Sequence, residues 1–317
     1  MLLVSLLTRH STKAMAVAVV LGLAWPPLAS TFQPLIQPAV LLLLTGSLLR
    51  IDMEALRHAL SRPGPSLSGL VWVLAAGPAM AMTAQAMGWL KGGIGEGILL
   101  NALTPPLMGA PALALILGLD FTLAVVITVI ATLLFPFGLA VAASLGGLSA
   151  LPGDRILAIV PRILMMVGLP VILAVIGRRR LGPQGLIRRR QTIDATMVAL
   201  LIFLAVALMD GANGVLRTAP AYALKLAAAA CLFNLISQIA TALIFWARGG
   251  RQALTFGLLS GNRNLGLMLG ILTGFTGSDF AAYVAFAQIP IYTLPVVSKV
   301  LLRRIFPGGT PQTHRGS

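Results

Sequence analysis

The run Leu258-Leu259-Ser260-Gly261-Asn262-Arg263-Asn264-Leu265-Gly266-Leu267-Met268-Leu269-Gly270 decides the fold. Both of its flanks are apolar, and together they are long enough to cross a bilayer, yet its centre holds Gly, Asn, Arg and Asn. A guanidinium at bilayer depth costs about 2.5–3.5 kcal/mol even on the lenient insertion scale. A chain keeps such a group where it faces a partner or a water-filled cavity. A helix broken at the membrane midplane is also how secondary transporters build their sites. Gly261 supplies the break, and Asn262, Arg263 and Asn264 are the first candidate ligand-binding residues.

The rest of the chain fits a membrane setting. It has 317 residues, 58% hydrophobic and 10% charged, with a mean hydropathy of +0.95. A soluble domain carries about 25% charged residues. Membrane β-barrels alternate polar and apolar residues over strands of about 10 residues, whereas the apolar runs here have the length of membrane helices. The net charge of +15 follows from basic residues clustered in short loops, as the positive-inside rule expects, and does not call for nucleic acid. Cys231 stands alone in an apolar run, and His10, His58 and His314 lie outside such runs. Disulfide frameworks, cysteine metal sites and histidine relays inside the membrane are therefore not expected. There is no phosphate-binding loop and no nucleophile elbow, so neither ATP-driven transport nor enzymatic catalysis is expected.

Ten spans are expected, at 14–30, 33–49, 67–90, 95–119, 121–147, 156–178, 192–210, 221–247, 252–274 and 278–303. Residues 1–30 read as a retained first helix rather than a cleaved signal, because Trp25-Pro26-Pro27 fits poorly before a cleavage site. The stretch from Arg50 to Pro63 reads as an amphipathic surface segment, and Arg178 to Gln191 as a loop with six arginines. With ten spans, sixteen Lys and Arg fall on the side of the termini and five on the other, with Arg263 and Lys299 inside spans. Both termini are thus expected to be cytoplasmic, in a plasma (cytoplasmic) membrane. Trp25, Trp89 and Trp246 near span ends read as interface anchors.

The two halves resemble each other. Asp120-Phe121 and Asp279-Phe280 stand 159 residues apart, as do Pro136 and Pro295. The same offset carries Pro105-Pro106 of span four onto Asn264-Leu265 of span nine. Residues 1–155 would form a first repeat and 156–317 a second of inverted topology, because five spans separate them. Paired interruptions of this kind point to a binding site at the repeat interface. Pro105, Pro106 and Pro111 break span four, freeing carbonyls that need partners at membrane depth. Asn101 and Thr104 flank that break. Asn234 and Gln238 share one face of span eight at i and i+4. Gln288, Tyr292 and Thr293 lie in span ten and Thr128 in span five. Each of these has a plainer reading as interhelical glue, and Arg263 has one as the partner of freed carbonyls or of a buried acid such as Asp210.

These interruptions, the 5+5 inverted repeat and the length resemble the bile acid:sodium symporter superfamily over nearly the whole chain. Gly261 to Leu267 is similar to the family's Gly-x-Gln-Asn-x-x-Leu. The resemblance implies ten helices, with a panel domain of spans 1, 2, 6 and 7 and a core domain of spans 3–5 and 8–10. Alternating access would proceed around the crossing of helices four and nine. It also places Asn264 near substrate and Tyr292-Thr293 at a polar pair. The family's sodium ligands are mostly replaced. Ala110-Pro111 stand at a Ser-Asn pair, Leu259 at a Glu, Arg263 at a Gln and Ala124 at a hydroxyl, leaving Thr128. A guanidinium 4 Å from a cation would repel it by about 4 kcal/mol at an effective dielectric of 20.

The leading expectation is a secondary transporter of a small organic anion that carries its cation covalently, as Arg263. Substrate and lipid bilayer are its only expected partners. No cofactor or metal is expected, and coupling is open between protons, exchange and none. One alternative keeps sodium coupling at relocated ion sites. Another is a non-transporting membrane sensor on the same fold, against which the short stretch after Arg304 counts. Metalloid efflux, as in related arsenite permeases, ranks low without a cysteine at the span-four break.

Overall fold

A computed structural model describes residues 11–51, 54, 63–145, 153–272 and 274–305. Among these residues every regular element is helical and no strand forms. Five helical runs are long and apolar enough to cross a membrane: Pro26–Leu49, Ser66–Ala86, Phe121–Ser144, Ala158–Thr218 and Pro220–Arg248. Large apolar side chains such as Phe137 and Leu224 are 69% and 72% exposed, while Asn101, Asn234, Asn262, Asn264 and Gln288 are buried. Apolar groups outside and amides inside suit hydrocarbon rather than water as the surrounding solvent. The chain is an all-α membrane protein.

In the first half, α1 (Ser11–Ala24) and α2 (Pro26–Phe32) are followed by a 3-10 turn at Gln33–Leu35 and α3 (Ile36–Leu49). The first expected span, 14–30, is thus broken at Trp25, which has φ −126° and ψ 77°. Pro26 and Pro27 supply no N–H and start a new helix instead of extending the old one. Next come α4 (Pro63–Val71), a π-helical turn (Trp72–Ala76) and α5 (Gly77–Ala86). The interrupted span follows as α6 (Gly92–Leu103) and α7 (Ala110–Ile116). Helix α8 (Phe121–Ser144) is capped by Asp120, whose Oδ1 accepts from the Leu123 N–H at 2.9 Å.

The second half opens with α9 (Gly153–Ile163), a π-helical turn (Leu164–Gly168) and α10 (Leu169–Ala207). The arginine-rich stretch expected as a loop is helical, and the chain bends only at Gly182, at φ +62°. Pro183 forbids a regular continuation, and glycine alone takes that left-handed geometry without strain. Arg178 donates to the carbonyls of Leu48, Leu49 and Ile51, closing the end of α3. Then come α11 (Asp210–Thr218), α12 (Pro220–Phe245), α13 (Gly250–Gly261), α14 (Leu265–Leu272) and α15 (Ser278–Ile305). The surface segment expected from Arg50 to Pro63, the initial ten residues and the end after Ile305 lie largely or wholly outside the described residues.

Helix boundaries recur along the chain. Gly92–Leu103 and Gly250–Gly261 start and end 158 residues apart. Pro63 and Pro220 are 157 apart, and Ala86 and Phe245 are 159 apart. Phe121 and Ser278, which open α8 and α15, are 157 apart. In the packing, α10 lies along α3 and α1, while α12 packs on α13 and α15, and α6 on α5 and α15. Small residues permit these approaches: a Cβ on Gly22 would sit 2.7 Å from the Val206 carbonyl oxygen. Trp25, Trp89 and Trp246 are all exposed.

Candidate functional site

The two interruptions meet. Helix α6 ends because Thr104 and Pro105 each precede a proline, a position that disfavours helical geometry, and Thr104 is extended at φ −69° and ψ 141°. Helix α13 ends at Asn262, extended at φ −93° and ψ 99°. The two extended pieces run antiparallel and pair as a short bridge between Pro106 and Arg263. The Leu107 N–H donates to the Asn262 carbonyl at 2.8 Å, and the Asn264 N–H to the Pro105 carbonyl at 2.8 Å. Helix α14 restarts behind Asn264, whose Oδ1 accepts from the Leu267 N–H at 3.4 Å.

Arg263 closes this crossing. It is 2% exposed, and its guanidinium donates to three carbonyls. Nε reaches Ser260 at 2.8 Å, and Nη1 reaches Val73 at 3.0 Å and Thr104 at 3.1 Å. Each carbonyl has lost its helical donor for an identifiable reason. The N–H four residues beyond Ser260 belongs to Asn264, which pairs with Pro105 instead. Val73 lies in a π-helical turn, where the donor should come from five residues on, and that residue is Pro78. Thr104 lies beyond the end of α6, before two prolines. Thr104 and Ser260 also sit at the C-terminal ends of α6 and α13, where the helix dipole presents partial negative charge. Among the described residues no carboxylate pairs with Arg263. Asp210 lines a separate cleft instead. The guanidinium is therefore solvated by backbone, as a bound metal cation would be.

The other polar residues divide by what they hold. Asn234 Nδ2 donates to the Gly261 carbonyl at 2.8 Å and to Asn262 Oδ1 at 3.4 Å. Gln238 Nε2 donates to Asn234 Oδ1 at 2.5 Å, and Asn262 Nδ2 to the Leu258 carbonyl at 3.0 Å. These three amides fix the end of α13 against α12. Gln288 and Thr293 each donate to their own helix, to Val284 and Ile289, and Thr293 is exposed. Tyr292 is buried. Thr104 Oγ1 bonds the Leu100 carbonyl at 2.6 Å. Asn101 Nδ2 donates to the Tyr283 hydroxyl at 3.1 Å, while Asn101 Oδ1 is buried without a partner, as is Ser260 Oγ. Asn101 and Ser260 stand 159 residues apart, so both interruptions carry an orphaned buried oxygen one turn before the break. Pro111 and Thr128 line a separate small cavity with Arg50. Leu259 and Ala124 are fully buried and bring no oxygen ligand to the crossing.

Among the described residues, clefts lie between the helices at three places. One, about 410 Å³, is lined by Leu117, Leu235, Gln238, Gly257, Leu258 and Leu294 among others. Another, about 390 Å³, is lined by Gln33, Gln37, Asp210, Leu269, Thr276 and Ser278 among others. Gln37 Nε2 crosses beside it to the Gly270 carbonyl at 3.1 Å, and Arg162 Nη1 to the Ile271 carbonyl at 3.4 Å. The third and smallest, about 40 Å³, lies beside the end of α3, where Arg178 closes the helix. None of the three is lined by Asn262, Arg263 or Asn264. The sequence did not single out Val73, whose free carbonyl follows from a π-helical turn. In the sequence Arg50 reads only as a charge at the end of a span. The chain matches no protein-family model, and no curated protein matches it in sequence.

Proposed function

We propose that this protein is a secondary transporter of a small organic anion, working by alternating access, with Arg263 as a permanent cation at the crossing of two broken helices. The observation that carries the reading is the guanidinium of Arg263 held by three carbonyls that the helix breaks set free. A mobile sodium ion would need such carbonyls as ligands, and here a tethered cation holds them. Its charge acts on an anion through the low-dielectric interior rather than by direct contact: at 8 Å and an effective dielectric of 20 the attraction is about 2 kcal/mol.

Several features support the architecture. Helix boundaries recurring at 157–159 residues fit two repeats of five spans, ten in all. The antiparallel pairing of the breaks fits inverted topology. Helices α1 to α3 with α9 and α10 would form the panel domain, and α4 to α8 with α12 to α15 the core domain. Charge bias supports a cytoplasmic side for both termini. Energy coupling is to protons, to exchange, or absent. Counterflow in proteoliposomes tests this, with a labelled carboxylate on both sides and sodium replaced by choline. Exchange should proceed at an unchanged rate without sodium. Strict sodium dependence would overturn the fixed-cation reading, and absence of counterflow across a broad carboxylate panel would overturn transport.

A further inference from the structure

The small cavity near the arginine-rich bend holds a second constellation that the crossing does not explain. It lies between the end of α3 with α10 on one side and α7 with α8 on the other, and it is lined by Ser47, Arg50, Met108, Pro111, Thr128 and Met197. Thr128 is 1% exposed, and its hydroxyl oxygen is buried without a hydrogen-bond partner. A buried orphan hydroxyl in a native interior calls for an unseen ligand or water. Arg50 Nε is held by Asp194 Oδ1 at 2.7 Å. Arg190 lies close enough to act electrostatically on both of them. Arg50 is the one charged residue in the cavity's lining. Burial pulls the Arg50 pKa below its ordinary value, Asp194 pulls it up and Arg190 pulls it down again, yet an arginine stays protonated in proteins.

We propose that this cavity is a carboxylate subsite, in which Arg50 supplies the charge and the Thr128 hydroxyl donates the orienting hydrogen bond. A guanidinium in the lining favours an anion over a cation. A volume of about 40 Å³ takes roughly three water-sized spheres, enough for a carboxylate head group but not for an organic body. A carboxylate accepts at two oxygens, matching one guanidinium donor and one hydroxyl. This subsite deepens the transport reading: it gives the anion a direct charged partner, which Arg263, bound to carbonyls, does not. It lies beside the boundary between the two packed helix groups, where a substrate head group would pass on the arginine-rich side.

The test is thermal unfolding of the purified full chain in detergent, titrated with sodium acetate against sodium chloride at equal ionic strength. Acetate should raise the melting temperature saturably and chloride should not, following mass action. Thr128→Val keeps the side-chain shape and removes a hydroxyl that bonds nothing in the chain. It should fold as well as the parent and need about tenfold more acetate for half-saturation, the loss expected for a hydrogen bond to a charged group. Arg50→Gln should abolish the acetate response, and Arg50→Lys should retain part of it. An absent or unsaturable acetate effect in the parent would refute the subsite. So would a response unchanged in Thr128→Val, which decides the matter even if Arg50→Gln fails to fold. Sodium-independent counterflow with an acetate response indifferent to both residues would leave transport standing and remove only this proposal.

Discussion

Replacing Arg263 by alanine should destabilise the protein, and free guanidinium should repair it. The substitution strips the carbonyls of Ser260, Val73 and Thr104 of their shared donor inside a dry crossing. Each unpaired buried carbonyl costs about 1–3 kcal/mol. Against that, the variant no longer holds a charge at depth, a relief of about 2.5–3.5 kcal/mol. Midpoints leave a net loss of about 3 kcal/mol. Lysine keeps the charge but not the fork that reaches three acceptors, so Arg263→Lys should fall between the two. Because the cavity left behind has the shape and polarity of a guanidinium, about 10 mM guanidinium chloride should restore roughly 1.4 kcal/mol if it binds with a Kd near 1 mM. Thermal unfolding in detergent measures both effects. If Arg263→Ala were as stable as the parent to within about 0.5 kcal/mol and indifferent to guanidinium, the carbonyl cage would not be what fixes the crossing.

Two further substitutions probe how the breaks are held, alongside the sodium-free counterflow and the acetate titration. Gly261→Ala would place a Cβ 2.6 Å from the Asn234 carbonyl oxygen and against the Gln238 side chain. An overpacking loss of about 1–3 kcal/mol should follow in the melting curve. Asp120→Ala removes the acceptor for the Leu123 N–H at the start of α8. It should lower stability by about 1 kcal/mol, with Asp120→Asn recovering most of that loss.

Several parts of this fold are legible in the chain because they depend on neighbours in sequence. Proline lacks an N–H wherever it stands, so Pro105 and Pro106 end α6 and Pro26-Pro27 start α2 in any context. Hydropathy alone does not reveal the second break, because it averages across a bend that leaves the run apolar. The arginines from Arg178 to Arg190 read as a loop because charge shortens an apolar stretch. A helix needs only backbone pairing, and it continues on both sides of Gly182.

Sequence by itself determined that this is a helical membrane protein with a costly cation placed at two matching breaks. Composition, run length and the backbone chemistry of proline and glycine are local properties, and they suffice for that much. Which atoms meet the cation was a matter for the tertiary structure alone. Val73 lies in a π-helical turn, Thr104 just past the end of α6 and Ser260 near the end of α13, and only their packing brings three orphaned carbonyls within reach of one guanidinium. The same holds for Arg50 and Thr128, which lie far apart in the chain and line one cavity. A buried polar group takes its partner from whatever the fold places beside it, and that neighbour is set by helix packing rather than by spacing along the chain.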